Sequence, residues 1–139
     1  MKDMTDKPGI YVVTLNNEIP ISINAQDPRC ADKVYKANNK NVKVGKTKSL
    51  KARMSNYHKT FGEGNVNFHP IILTTQIDDA EKIAMKELER FRVRNPVSKR
   101  KTEWLIGITR DEAIELVVKN IYTSKIIYSL ANGITVEEV

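Results

Sequence analysis

Two short stretches decide the fold: residues 9–15, with the sequence GIYVVTL, and residues 42–47, with the sequence VKVGKT. The first is rich in β-branched and aromatic side chains, which favour a buried β-strand. The second is predicted to be the end of a returning strand. Between them, residues 18–40 contain prolines and asparagines, which favour turns over regular structure. We therefore expect an elaborated hairpin over this segment.

The pattern of apolar residues, caps and breakers predicts the elements that follow. The first is a helix capped by Thr47 or Ser49 and running through Tyr57, which is followed by a strand over residues 66–74. Next come a helix from Asp78 or Asp79 to about Phe91 and a short extended piece over residues 103–107. The last helix is capped by Thr109, runs from Arg110 to about Ile121, and continues or restarts to residue 131. This order predicts an α+β fold with a small three-stranded antiparallel sheet flanked by helices, an extended first hairpin and a helical C-terminus.

The bulk composition narrows the class of protein. A length of 139 residues, with 40% hydrophobic and 29% charged residues, fits one compact domain spanning residues 1–139. No apolar run approaches the length of a membrane span, and the N-terminus lacks a signal-peptide core. The single Cys30 cannot form an internal disulfide. We expect an intracellular, cytoplasmic protein.

The charge of the chain is positive and unevenly distributed. Lysines and arginines number 23 against 17 aspartates and glutamates, a net charge of +6. Basic residues that neutralise phosphates release counterions, so a basic face favours a nucleic-acid partner. We expect DNA, duplex rather than single-stranded, bound by a monomer or homodimer. The predicted DNA-binding residues are Lys36, Lys40, Lys46, Lys48, Lys51, His58, Arg92, Arg94, Lys99, Arg100 and Lys101.

Several motifs in this order resemble the GIY-YIG endonuclease superfamily. Residues 9–11 give the GIY tripeptide, residues 43–47 give a KVGKT form of the YIG strand, and Arg53 and Tyr57 give the Arg-x3-Tyr of the following helix. The lysine in place of the first Tyr of YIG, together with the later EWL at residues 103–105, is similar to a phage and bacterial branch of that superfamily. The resemblance covers roughly residues 8–108. The gap between Tyr11 and Lys43 is about three times the usual one, which a longer hairpin can accommodate.

The resemblance implies a chemistry and a set of catalytic residues. The implied activity is hydrolysis of DNA phosphodiester bonds with one divalent ion, Mg²⁺ or Mn²⁺. Tyr11 would help to activate the water, with a pKa lowered by neighbouring positive charge. Lys43 would bind phosphate near the substrate, as would Arg53, whose planar guanidinium suits a phosphoryl group, and Tyr57 would act from the same helical face.

The position that should carry the metal-binding glutamate is occupied by Ala84. Three interpretations stay open: an engineered knock-out, a natural loss that leaves a binding module, or a shifted register in which Glu81 or Glu87 does the work. Because a Mg²⁺ site depends on one or two protein carboxylates, loss of this glutamate would impair metal binding. If position 84 faces the site, Ala84→Glu is expected to restore cleavage.

Three functions remain in competition at the level of the sequence. The first is a metal-dependent DNA endonuclease of phage, restriction, homing or other mobile-element type, inactivated here if Ala84 is the metal position. The second is a non-catalytic nucleic-acid-binding domain that uses the same basic groove. The third is a basic structural protein in which the motifs are coincidental, and ordered matches in three successive elements argue against it.

Overall fold

The computed structural model describes residues 6–22, 36–94 and 101–131. In chain order the elements are β1 (Gly9–Leu15), β2 (Ile21–Ser22), β3 (Lys36–Ala37), β4 (Asn41–Thr47), α1 (Leu50–Phe61), β5 (Val66–Leu73), α2 (Ile77–Met85), a 3₁₀ turn (Glu89–Phe91), β6 (Arg92–Arg94), β7 (Lys101–Ile106), α3 (Arg110–Tyr122) and β8 (Ser129–Leu130).

Six of these strands form one antiparallel sheet. Their order across the sheet is β6-β7-β4-β1-β5-β8, while β2 and β3 form a separate two-stranded ladder. Strand β1 lies near the centre and pairs with β4 on one side and with β5 on the other. Its register sets Tyr11 opposite Gly45 and Val13 opposite Lys43. The sheet therefore brings the two stretches that began the sequence analysis side by side.

Alternation along β1 divides the core into two layers. Ile10 and Val12 point to the face covered by α2 and α3, whereas Tyr11 and Val13 point to the face covered by α1. The α2–α3 layer contains a large cluster of apolar side chains, among them Ala84. The α1 layer is aromatic and includes Tyr57 and Trp104. Successive side chains of β1 therefore lie in two different environments.

The helix starts follow from their capping residues. Ser49 accepts a hydrogen bond from the backbone N–H of Ala52 at the start of α1. Thr109 and Glu112 form a capping box at the start of α3, in which each side chain bonds the other's backbone N–H. Such caps satisfy N–H groups that the helix cannot pair internally. The predicted caps at Ser49 and Thr109 are confirmed.

The predicted three-stranded sheet is wrong, because the sheet has six strands within an α+β fold. Strand β7 pairs with β4, and β6 pairs with β7, so two strands extend the sheet beyond β4. Strand β6 has three residues and follows the 3₁₀ turn directly. A segment this short carries no measurable alternation, and the sequence pattern predicts only the end of a helix just before it.

The predicted helical C-terminus is also wrong. Helix α3 ends at Tyr122, and β8 pairs with the end of β5, Ile72 lying opposite Leu130. The Ser124 hydroxyl donates to the carbonyl of Ile121 and accepts from the N–H of Ile126, which closes a turn where the helix could have continued. Serine competes with helical hydrogen bonds in this way. Among the described residues, no helix is both long and apolar enough to cross a membrane.

Candidate functional site

Two buried tyrosines lie on the α1 face of the sheet, and we call them the tyrosine pair: Tyr11 on β1 and Tyr57 on α1. Their hydroxyl oxygens are 3.1 Å apart, and either hydroxyl can donate. The rings meet edge to face with centroids 5.7 Å apart. Gly45 lies opposite Tyr11, and a side chain at position 45 would overlap the Tyr11 hydroxyl. The glycine at position 45 therefore makes room for the tyrosine.

Two cations act on the tyrosine pair. The Lys43 ammonium lies 5.1 Å from the centre of the Tyr57 ring, a cation–π distance. The positive charges of Lys43 and Arg53 favour the ionised form of Tyr11, and the charge of Arg53 does the same for Tyr57. The structure therefore brings together four of the five residues to which the sequence gave catalytic roles. Those roles themselves stay predictions.

The expected lowering of the Tyr11 pKa is wrong. Burial raises the pKa of Tyr11 well above its ordinary value, and the nearby Tyr57 adds to that effect, against smaller opposing contributions from Lys43 and Arg53. Burial likewise raises the pKa of Tyr57 to about 12. Desolvation penalises the phenolate more than two neighbouring cations stabilise it. Both phenols are therefore protonated at neutral pH.

Alkaline solution should destabilise the fold through this pair. The folded-state pKa of Tyr57 is about 12, above the ordinary value of about 10, so the unfolded chain loses its proton first as the pH rises. Stability is therefore complete below pH ~10 and falls by roughly 1.4 kcal/mol per pH unit as the pH approaches the folded-state value. Urea unfolding at a series of pH values should show this slope, and Tyr57→Phe should reduce it.

The matched control is Tyr122→Phe on α3, where the tyrosine side chain is 64% exposed. This variant should keep the full alkaline slope. If Tyr57→Phe and Tyr122→Phe have the same slope as the unsubstituted chain, the buried tyrosine does not titrate as described.

A second group of charged residues lies on the α2 side of the sheet, and we call it the lysine–acid cluster: Lys46, Asp78 and Glu81. The Lys46 ammonium is 2.7 Å from Asp78 and 3.6 Å from Glu81. The Glu81 side chain is only 19% exposed. Burial raises the pKa of Glu81 and the charge of Glu103 raises it further, while Lys46 opposes both. Glu81 is therefore a partly desolvated carboxylate with one cation beside it.

Ala84 does not join the tyrosine pair. It is fully buried in the apolar α2–α3 layer, with Ile10 and Val12 among its neighbours in that cluster. Glu81 lies one turn earlier on the same helix and reaches Lys46. Glu87, the other proposed substitute, lies beyond the end of α2 and is exposed. Of the three positions considered for the metal, only Glu81 lies beside the other charged residues of the site.

The predicted DNA-binding residues differ in their surroundings. Arg92 and Lys101 pair with Glu89, and Arg92 also donates to two backbone carbonyls of the neighbouring β7, so these two cations hold the sheet edge. Lys46 belongs to the lysine–acid cluster. The exposed residues are Lys36, Lys40, Lys48, Lys51 and Arg94, His58 is half-buried on α1, and Lys99 and Arg100 lie outside the described residues.

Glu103 is the site residue that sequence reasoning missed as a functional group. Its carboxylate is 3.4 Å from the Lys43 ammonium, and its charge also acts on Tyr57 and Glu81. It therefore connects the tyrosine pair to the lysine–acid cluster. The available signal was its place in the EWL tripeptide, directly before the buried Trp104.

The comparisons with known proteins give a family. A family model described as the T5orf172 domain matches residues 28–121, which is more than half of the chain. The domain is nucleic-acid-associated and endonuclease-like. The chain belongs to the T5orf172 domain family. No curated protein and no solved structure matches it.

The resemblance to the GIY-YIG endonucleases is wrong as a family assignment. The T5orf172 domain is a different family, and no GIY-YIG model matches the chain. The matched segment begins at residue 28, so it does not include the GIY tripeptide at residues 9–11 on which the resemblance partly rested. A tripeptide of common strand residues is weak support for kinship.

Proposed function

We propose that this domain hydrolyses DNA phosphodiester bonds as a metal-dependent endonuclease. The observation that carries the proposal is the set of groups that surround β4. Two protonated phenols and cations from β4 and α1 lie on the α1 face of the sheet, a partly desolvated carboxylate from α2 lies on the other side, and the charge of Glu103 acts on both. Each type of group has a use in phosphodiester hydrolysis, which needs cations on the phosphoryl oxygens and an oriented water. An endonuclease-like family is consistent with it.

Substrate binding is assigned to the cations. Arg53 would contact the scissile phosphate with its planar guanidinium, and Lys43 would contact it as a compact charge. The exposed lysines at positions 36, 40, 48 and 51 would follow the flanking backbone. We expect DNA, duplex rather than single-stranded, as the substrate. The expected context is phage, restriction or mobile-element biology in the cytoplasm of a bacterium or an infected host.

The tyrosine pair is assigned an orienting role. A phenol with a raised pKa does not accept a proton readily at neutral pH, but its oxygen can accept a hydrogen bond from water and its O–H can donate one. Because Tyr57 fixes the Tyr11 hydroxyl at 3.1 Å, the pair can hold a water or a phosphoryl oxygen in one place. Tyr11 is only 1% exposed, so in this proposal it fixes the Tyr57 hydroxyl, and Tyr57 positions the attacking water.

A divalent cation, Mg²⁺ or Mn²⁺, fits the acidic side of the site. Glu81 is partly desolvated, and the negative charge of Glu103 raises its pKa, which is the situation that a bound cation relieves. Mg²⁺ uses one or two carboxylates together with water and substrate phosphates, so a single protein carboxylate can anchor it. The ion would be held by Glu81. It would polarise the phosphoryl oxygen.

One observation favours a second candidate, a non-catalytic nucleic-acid-binding domain. Lys46 already forms ion pairs with both Glu81 and Asp78 through its single ammonium. If that ion pair persists in the DNA complex, the carboxylate is not free for a cation. The domain then binds phosphates through its basic residues and does not cut.

The proposal is tested by binding and cleavage of supercoiled plasmid DNA with Mg²⁺ and with Mn²⁺. The chain should bind with a steep inverse salt dependence and convert the plasmid to nicked or linear form. Reversing the charges of Lys43, Lys46 and Arg53 together should flatten the salt slope by roughly three phosphate equivalents and abolish cleavage.

Charge reversal at Lys119 and Lys125 is the control, because both side chains are exposed and lie outside the site. It should alter the salt slope much less. An unchanged slope in the triple variant would remove the nucleic-acid assignment for this face. If the chain binds DNA normally but cleaves neither duplex nor single-stranded substrates, the endonuclease proposal fails and the non-catalytic nucleic-acid-binding function stands.

A further inference from the structure

The Lys43 ammonium is enclosed on three sides. It lies 5.1 Å from the centre of the Tyr57 ring, 6.0 Å from the centre of the Trp104 ring and 3.4 Å from the Glu103 carboxylate. Its side chain is only 16% exposed, whereas that of Glu103 is 53% exposed. A lysine has a flexible stem with four rotatable bonds, so an ammonium in one place needs fixed neighbours. Here two rings and one carboxylate provide them.

The strand register explains why Glu103 is the carboxylate in that place. Strand β7 pairs with β4 only over Asn41–Lys43, and Lys43 lies directly opposite Trp104. Glu103 is the residue just beyond this last pair. It is therefore close enough to reach the ammonium while still extending towards solvent. Backbone pairing thus brings Glu103 next to Lys43, and the 3.4 Å contact is completed by the Glu103 side chain reaching towards the ammonium.

The charge of Glu103 reaches both halves of the site. It raises the pKa of Glu81 on α2 and contributes to the raised pKa of Tyr57 on α1. These effects require Glu103 to lie near both groups, in agreement with its place beside Lys43. A carboxylate at this point also repels an approaching phosphate backbone. Such a residue weakens substrate binding, so its presence needs a reason other than affinity.

We propose that Glu103 is a positioning residue that holds the Lys43 ammonium over the Tyr57 ring, in the orientation needed to meet the scissile phosphate. The inference rests on the proposed nuclease function and extends it by one residue. Glu103 contacts neither the attacking water nor the scissile phosphate in this assignment. It acts through Lys43. Its negative charge weakens DNA binding, but it holds the Lys43 ammonium in place before DNA binds.

The first test is Glu103→Gln, which keeps the shape of the side chain and removes its charge. Cleavage under single-turnover conditions should fall by about 10- to 100-fold, because a misplaced charge loses its contact in the reaction. Duplex binding should stay the same or become tighter, because a repulsive charge is gone. A merely structural residue would weaken both. Glu115→Gln, an exposed carboxylate on α3, is the matched control and should change neither.

A double-mutant cycle with Lys43→Met tests whether Glu103 acts through Lys43. If it does, adding Glu103→Gln to the Lys43→Met variant should lower the rate no further. Additive losses would overturn the proposal, because Glu103 would then act by a separate route. Glu103→Asp, which shortens the side chain but keeps the charge, should fall between Glu103→Gln and the unsubstituted chain.

A measurement without DNA separates this inference from the proposed function. The ε-methylene protons of Lys43 should show ring-current-shifted NMR resonances, assigned by their loss in Lys43→Met. In Glu103→Gln those resonances should move towards the values of a solvated lysine, while the rest of the spectrum stays that of a folded protein. Unchanged resonances would refute the positioning role even if the domain cuts DNA. If the chain cuts no DNA, the nuclease proposal fails, and this spectrum still decides what Glu103 does.

Discussion

Replacing Glu81 by glutamine is expected to reduce Mg²⁺-dependent DNA cleavage by at least about 100-fold and to leave DNA binding intact. Glu81 is the partly desolvated carboxylate beside Lys46, and the amide cannot supply the negative charge that a divalent cation needs. Lys46 keeps Asp78 as its partner at 2.7 Å, so the fold should not suffer. Single-turnover cleavage rates and fluorescence anisotropy with labelled duplex DNA measure the two effects.

The control for that experiment is Glu87→Gln, because Glu87 is exposed beyond the end of α2. It should keep the rate of the unsubstituted chain within about twofold, as surface substitutions away from a site usually do. A Glu81→Gln variant that cuts as fast as the parent chain would exclude Glu81 as the metal ligand. If Glu87→Gln is the variant that loses activity, the helix register in solution differs from the one described.

Replacing Ala84 by glutamate is expected to destabilise the domain by roughly 3–5 kcal/mol and not to create cleavage activity. The side chain is 0% exposed within a cluster of apolar residues, so the new carboxylate would be buried among groups that cannot pair with it. Domains of this size have about 5–15 kcal/mol of stability, so the loss is a large part of the total. The urea midpoint should fall, and the earlier expectation of restored cleavage is therefore withdrawn.

Ala52→Glu gives the same chemical change at an exposed position of α1. Its N–H already donates to the Ser49 hydroxyl, and a glutamate there would complete a capping box. This variant should be neutral or slightly more stable. If Ala84→Glu unfolds at the same urea concentration as the parent chain, position 84 is not in the core, and the Glu81 assignment loses its geometric basis.

The long elements of the fold were predictable because their sequences carry a strong local signal. Strand β1 has the predicted bounds, and β5 differs from its predicted span by one residue. Helix α3 begins after the predicted cap at Thr109. Strands β6 and β8 were not predictable, because with three and two residues they have no period of their own. Pairing with a neighbouring strand, a long-range effect, makes them strands.

At two positions of the site, two sequence features predict different environments, and the prediction followed the wrong one. Ala84 belongs with Ala80 to the apolar stripe of α2, which faces the core. The alignment of motifs had instead assigned position 84 to the metal. For Tyr11, proximity of cations predicted a lowered pKa, but the degree of burial decided the direction. Burial comes from the sum of many distant contacts, so one motif cannot reveal it.

The central place of β1 has a consequence for what counts as the folding unit. The family match starts at residue 28, yet the strand between β4 and β5 ends at Leu15. A fragment limited to the matched residues would lack that strand. The facing edges of β4 and β5 would then have unsatisfied backbone hydrogen-bonding groups, which are costly when buried and available to other chains when exposed. The autonomous unit must therefore reach back at least to Gly9, although similarity to the family begins well after it.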